Sequence, residues 1–182
     1  MEIFGFITGL LYLIFEIYQN KLMWVVNALT ALAYIIVFAQ NSLYAAMGLQ
    51  IYYLSISFYG FFTWKKEGQG SIVYKYAGKR DIVVGIVIFT AFFLPLLTFL
   101  KGMTGDPIPA ADAFCTALSV VATLWLSRLY IHQWLLWLVV DIVYVGLFIH
   151  QGLVLTAILY FLYSLSALYG FYHWKNKGVL LK

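Results

Sequence analysis

Charged side chains are scarce in this chain. They make up only 10% of the 182 residues, whereas a typical soluble domain has about 25%. This scarcity excludes a soluble globular domain, and the high hydrophobicity excludes a disordered chain. The single cysteine, Cys115, excludes an internal disulfide and a cysteine-rich metal site. A GxxxxGK[ST] phosphate-binding loop and a nucleophile-plus-base arrangement are also missing, so nothing in the sequence indicates an ATPase, an enzyme or a bound cofactor.

Apolar and aromatic residues are abundant instead. Hydrophobic residues account for 64% of the chain and aromatic residues for 20%, and the mean hydropathy is +0.92. About 20 apolar residues cross a bilayer as a helix, and the apolar runs predict an all-α integral membrane protein. The seven predicted transmembrane helices are 3–19, 22–39, 43–64, 81–100, 112–131, 133–150 and 152–174. The first run lacks a basic leader and a small-residue cleavage site, so we expect a retained span.

The basic residues predict the orientation of the chain in a bacterial cytoplasmic (inner) membrane. If the 65–80 loop is cytoplasmic, ten of the eleven lysines and arginines fall on the inner side, and only Lys101 falls outside. This places the N-terminus outside and the C-terminus in the cytoplasm. A role for these few charges in nucleic-acid binding is a poor alternative.

An internal repeat is visible at an offset of 110 residues. Residues 24–65 align with 134–175 without a gap and are identical at 11 of 42 positions, including YGFFTWK against YGFYHWK. Three helices repeat and one helix, 81–100, separates the copies, which predicts parallel repeats in a 3+1+3 bundle. The predicted parts of the single membrane domain are 1–64 (first repeat), 65–111 (loop and linking helix), 112–174 (second repeat) and 175–182 (cytoplasmic tail).

Aromatic residues form matching stripes on the repeated helices. Positions i, i+3, i+7 and i+10 share one helix face, and in the sixth span this face carries Trp134, Trp137, Asp141 and Tyr144. The second span repeats it with Trp24, Asn27, Ala31 and Tyr34, and the third and seventh spans carry Gln50, Tyr53, Tyr160 and Tyr163. Substrate sites of such bundles lie at the repeat interface. The candidate binding residues are Trp134, Trp137, Asp141, Gln50, Asn27, Trp24, Tyr53, Tyr163 and Tyr144.

Carboxylates within the predicted spans need a partner. Asp141 lies near the middle of its span, where an unpaired carboxylate costs several kcal/mol, and we interpret it as a counter-ion for a cationic ligand rather than a structural hydrogen-bonding group. Glu16 lies near the inner end of the first span, where it either pairs with Lys21 or serves the site. Trp64 and Trp174 are each followed by lysine, which predicts an interfacial aromatic belt.

The motif residues resemble a known family. The run WLLWLVVD from Trp134 to Asp141 matches the WxxWxxx[N/D] motif of PnuC-type vitamin transporters, and the YGFFTW and YGFYHW ends and Gln50 are similar to the same family. The resemblance covers about residues 1–176. It implies a full-length SWEET-like bundle and a ligand site that includes Trp134, Trp137, Asp141 and Gln50.

The resemblance also implies a function. Members of the family take up an unphosphorylated B-vitamin by facilitated diffusion, most often nicotinamide riboside for NAD biosynthesis, and a cytoplasmic vitamin kinase traps the product. Sister groups carry thiamine or riboflavin, and Asp141 stands where some members have asparagine, so thiamine remains an alternative. A different class, a substrate-binding membrane subunit of an ATP-driven importer, is the second hypothesis. The implied partners are the vitamin, the lipid bilayer and the kinase, and a homo-oligomer is left open.

Overall fold

A computed structural model describes residues 12–40, 44–67, 71–103, 108–150, 152 and 154–181. The fold is all-helical with seven helices, as predicted. The first, α1, includes residues 12–17. The other elements are α2 (Leu22–Gln40), α3 (Tyr44–Glu67), β1 (Val73–Tyr74), α4 (Lys79–Met103), α5 (Pro109–Ser127), α6 (Gln133–His150), α7 (Val154–Lys177) and β2 (Val179–Leu180).

The helix bounds differ from the prediction mainly at two places. Helices α3 and α7 continue three residues past their terminal tryptophans, into the lysine-containing sequence. Helix α5 ends at Ser127 rather than at residue 131, because Leu129 adopts a positive φ of 65°, a backbone conformation that stops a right-handed helix. The chain then makes a short buried turn before α6 begins at Gln133.

Three described helices are long and apolar enough to cross a bilayer, namely α4, α5 and α6. Helix α4 is almost entirely exposed at the surface of the bundle, and Ile82, Val83, Ile86 and Val87 all face outward. In water such a surface would be unfavourable, whereas in lipid it needs no partner. The exposed apolar faces therefore agree with an integral membrane protein.

The two halves of the bundle pack in corresponding ways. Helix α2 packs on α3 and α6 packs on α7, and the bounds of these helix pairs correspond at the 110-residue offset. The ring of Trp24 lies against Gly60, and the ring of Trp134 lies against Gly170 so closely that a Cβ there would stand 2.6 Å from the indole. Both glycines are therefore needed for close approach of a tryptophan.

Trp64 and Trp174 join the two halves. The Trp64 indole N–H donates to the carbonyl of Leu126 at the end of α5 (3.2 Å), and that of Trp174 donates to Ile17 at the end of α1 (2.9 Å). Both side chains are buried, with 3% and 0% exposure, so the prediction of an interfacial aromatic belt is wrong for them. Each indole thus bonds a carbonyl in the last turn of a helix, where backbone carbonyls lack the usual helical donor; the Leu126 carbonyl also accepts a bond from the Leu129 N–H at 3.0 Å.

A small two-stranded sheet, which was not predicted, covers this end of the bundle. Strand β1 lies in the 65–80 loop and pairs in parallel with β2 after α7. The Gln19 side chain bonds both the N–H and the carbonyl of Val73 (2.9 and 2.8 Å), and Lys75 exchanges backbone bonds with Leu129 and Ile131. Residues 71–78 thus connect α1, the α5–α6 turn and the chain end, and we name this segment the clasp.

His132 holds the last part of the clasp. Its Nδ1 atom accepts a hydrogen bond from the Ala77 N–H at 3.3 Å, which requires that Nδ1 carry no proton. Partial burial lowers the pKa of His132 from its ordinary value because the charged form loses water. The neutral imidazole therefore suits this position.

Candidate functional site

A cavity of about 310 Å³ lies inside the bundle, between helices of both repeats. Six of the seven helices contribute to its wall; α4 does not. The lining residues are Tyr12, Leu13 and Glu16 of α1, Asn27 of α2, Tyr53 of α3, Ser119 and Thr123 of α5, Trp134, Trp137, Val140, Asp141 and Tyr144 of α6, and Tyr160, Tyr163 and Ala167 of α7.

Two carboxyl groups face this cavity. Glu16 and Asp141 are 3% and 5% exposed, and the described residues of the lining include no lysine, arginine or histidine. The Glu16 Oε1 atom has no hydrogen-bond partner among the described residues. Glu16 is therefore buried in the cavity wall. Two carboxyl groups without a cationic side chain give the cavity a negative potential that attracts cations.

The aromatic wall is built mainly by α6 and α7. Tyr144 and Tyr160 have ring centroids 5.0 Å apart, and Tyr160 and Tyr163 are 5.4 Å apart. The indole N–H groups of Trp134 and Trp137 are buried and find no acceptor in the described part of the chain. Buried indole N–H groups are usually bonded, so these two donors are available to a ligand in the cavity.

Trp134 is held in place by the repeat packing. Its ring lies on Gly170 on one side and meets Trp174 edge to face, with centroids 5.4 Å apart. Trp174 in turn contacts Trp64, with ring centroids 6.2 Å apart, and Trp64 contacts Trp24 at 5.3 Å, so the four indoles form a continuous row. Trp24 thus occupies the corresponding place in the first half, where it fills space between Gly60 and Trp64.

Hydroxyl and amide groups form the polar part of the wall. The Asn27 amide donates to the Ser57 hydroxyl (2.8 Å), which itself donates to the Tyr53 carbonyl (2.7 Å). Ser119 and Thr123 donate to the carbonyls four residues earlier on α5, at 2.8 and 2.7 Å. Their oxygens can still accept a bond from a hydroxyl-bearing ligand.

Seven of the nine candidate binding residues line this one cavity, namely Trp134, Trp137, Asp141, Asn27, Tyr53, Tyr163 and Tyr144. The described lining does not include Trp24, which packs on Gly60, or Gln50, which is half-buried one turn before Tyr53 on α3. The ligand contacts of all nine residues stay a prediction.

Eight described lining residues were absent from the candidate set, namely the polar or aromatic Tyr12, Glu16, Ser119, Thr123 and Tyr160 and the apolar Leu13, Val140 and Ala167. Tyr160 lies on the stripe that carries Tyr163. Ser119 and Thr123 are four residues apart, so they share one face of α5, and this spacing was the available signal for them. Tyr12 has no equivalent signal, because its position depends on how α1 packs.

The helical membrane bundle has two similar halves, and they enclose an acidic, aromatic cavity. This arrangement is typical of a small-molecule transporter. The comparisons agree with this class. The nicotinamide mononucleotide transporter family model matches residues 1–176, and the chain belongs to this family. The family consists of multi-pass transporters of the bacterial inner membrane, which confirms that the protein is not an enzyme.

Several characterised proteins are similar. The nicotinamide riboside transporter PnuC of Escherichia coli strain K12 is 25% identical over 170 residues, which cover 79% of this chain and 71% of that protein. The nicotinamide riboside transporter PnuC of Haemophilus influenzae is 28% identical over 127 residues, which cover 67% of this chain and 55% of that protein. The crystal structure of the vitamin B3 transporter PnuC superposes with a TM-score of 0.65 at 22% identity, covering 93% of this chain and 78% of that one.

Proposed function

We propose that this protein takes up nicotinamide riboside, an unphosphorylated form of vitamin B3, by facilitated diffusion. The observation that carries the proposal is the pairing of Glu16 and Asp141 with an aromatic wall in a cavity whose described lining residues include no basic side chain. The names of the similar transporters support the same substrate.

The chemistry of the cavity suits a flat cation attached to a sugar. A pyridinium ring can stack on Trp134 or Trp137, and a cation–π contact contributes about 0.5–2 kcal/mol. Asp141 supplies the counter-charge. Asn27, Ser119 and Thr123 offer partners for ribose hydroxyl groups, and about 310 Å³ lies at the lower end of the range of ligand pockets.

The same cavity disfavours the phosphorylated vitamin. A phosphate group would face Glu16 and Asp141, and no lysine or arginine is present among the lining residues that the structure describes. Two like charges about 4 Å apart repel by roughly 4 kcal/mol at an effective dielectric constant of about 20. Phosphorylation by a cytoplasmic vitamin kinase would therefore trap the vitamin inside the cell, and transport needs no ATP of its own.

We further propose a 3+1+3 parallel-repeat, SWEET-like bundle with the N-terminus outside and the C-terminus cytoplasmic. The reciprocal bonds of Trp64 and Trp174 and the placement of the basic residues support this arrangement. A Ser71→Cys variant should resist an impermeant thiol reagent on intact cells and react after the cells are opened. Labelling from outside would contradict the orientation.

Thiamine is the alternative substrate. It is also a flat cation, and the carboxyl group of Asp141, where some family members have asparagine, favours a full positive charge over a neutral ring. Thermal-shift and binding measurements on the purified protein should rank nicotinamide riboside first, thiamine second, and riboflavin and the mononucleotide last. Tighter binding of thiamine than of nicotinamide riboside would make thiamine the substrate. Binding of the mononucleotide would refute the charge argument.

A further inference from the structure

We propose that Glu16 is a proton-binding site of the cavity, which holds a proton while the cavity is empty and releases it when the vitamin cation binds. The proton and the cation are then competing ligands of one pair of carboxyl groups. The inference deepens the proposed function and rests on it for the identity of the cation.

The first step concerns charge balance. Glu16 of α1 and Asp141 of α6 are both buried and line the same cavity, and the described lining offers them no cationic side chain. Two ionised carboxylates in a small cavity repel each other and lose hydration, and such a pair takes up a shared proton instead. A monovalent cation in the cavity supplies the missing charge and makes the proton unnecessary.

The second step assigns the proton to Glu16. Its Oε1 atom has no partner among the described residues, although the side chain is 3% exposed. The amide of Gln133 is fully buried and faces Glu16, yet neither of its polar atoms meets hydrogen-bond geometry with a described residue. The Gln133 amide can accept a bond from the protonated carboxyl group or donate one to the ionised carboxylate, so it serves both states. What favours the proton on Glu16 in the empty cavity is its buried oxygen without a donor, because an ionised oxygen in that position is more costly than a neutral one.

The third step concerns the surroundings, which contain a second, independent sign of a ligand. Trp134 lines the cavity, and its buried indole N–H also lacks a partner among the described residues. The other titratable groups of the described lining are Tyr12 on its own helix, Tyr53 on α3, Asp141 and Tyr144 on α6, and Tyr160 and Tyr163 on α7. Helices α2 and α5 contribute only neutral polar groups. Glu16 and Asp141 are therefore the only carboxyl groups among the described residues of the wall.

The release step is a simple proton transfer. The O–H bond of the Glu16 carboxyl group breaks, its electron pair stays on the carboxylate, and the proton is transferred to water. By linkage, a cation that releases one proton binds more tightly as pH rises, by up to tenfold for each pH unit.

The test measures nicotinamide riboside binding by calorimetry between pH 5 and 8, in two buffers of different ionisation enthalpy. Wild type and the carboxylate control Asp81→Asn, which lies outside the cavity, should release close to one proton and gain affinity with pH. Glu16→Gln should release none and lose the pH dependence, while Glu16→Asp should keep it. A flat wild-type profile, or an unchanged slope in Glu16→Gln, would overturn the proposal.

A second readout needs no vitamin. Infrared spectra of the empty protein should show the carbonyl stretch of a protonated carboxyl group. We expect this band in wild type and in Asp81→Asn, and we expect it to be absent in Glu16→Gln. If nicotinamide riboside fails to bind at any pH, the proposed substrate is wrong while this band still decides the proton site. A band that disappears only in Asp141→Asn would place the proton on the other carboxyl group and refute the assignment.

Discussion

Replacing Asp141 by asparagine isolates the charge of the cavity from its shape. The two side chains have nearly equal volume, and Asp141 is 5% exposed on α6 beside the aromatic wall. A cation about 5 Å from the carboxylate gains roughly 3 kcal/mol at an effective dielectric constant of about 20. Desolvation of both groups offsets part of this gain, and the second carboxyl group, Glu16, retains some attraction. We therefore expect a net loss of about 1.5–2.5 kcal/mol, or roughly 10- to 70-fold in affinity.

The assay compares two ligands. Dissociation constants of nicotinamide riboside and of its neutral, reduced form should be measured at one pH on wild type and Asp141→Asn. The cation should lose affinity by the stated factor, whereas the neutral form should change less than threefold, because only the charge is removed. Asp81→Asn, outside the cavity, should affect neither ligand. Equal losses for both ligands, or no loss for either, would show that Asp141 is a structural residue.

Three further predictions concern the wall, the repeat packing and the clasp. Trp137→Ala should weaken vitamin binding by about 1–2 kcal/mol through the lost ring contact, and unchanged affinity in a binding titration would exclude Trp137 from the site. Gly170→Ala should lower the free energy of unfolding by about 1–3 kcal/mol because its Cβ meets an indole ring, whereas Gly146→Ala, with open space, should not; equal melting temperatures would contradict the packing. Since burial lowers the pKa of His132, its neutral form stabilises the fold above the ordinary histidine pKa of about 6.5, and this contribution is lost as pH falls through the lower folded pKa. The melting temperature of wild type should therefore fall more on acidification than that of His132→Asn, a variant chosen because its side-chain oxygen can still accept the Ala77 bond. Equal pH dependence of the two melting temperatures would refute this role of His132.

Features that repeat or run long could be predicted from the sequence. The helices are long apolar segments, and the 110-residue offset predicted corresponding elements that the bounds of α2 and α6, and of α3 and α7, reproduce. The stripe of Trp134, Trp137 and Asp141 follows directly from helical periodicity, which is why these side chains do share one cavity wall.

Features that depend on how elements meet could not be predicted. The sequence places Glu16 near the inner end of α1 and therefore predicts a position close to the membrane surface. It does not show that the clasp covers this end of the helix. Trp64 and Trp174 carry the sequence pattern of an interfacial belt, yet they bond the ends of α5 and α1 from the opposite half. Strands of two residues, such as β1 and β2, have no periodicity to read.

We propose that this chain alone moves an unphosphorylated, cationic vitamin through an acidic cavity. The most direct measurement is uptake of labelled nicotinamide riboside into liposomes that contain only the purified protein, without ATP, with nicotinamide mononucleotide and thiamine as competitors. We predict saturable uptake that stops when the inside and outside concentrations balance, partial competition by thiamine and none by the mononucleotide. Uptake that requires ATP, or competition by the mononucleotide as strong as by the riboside itself, would contradict the account.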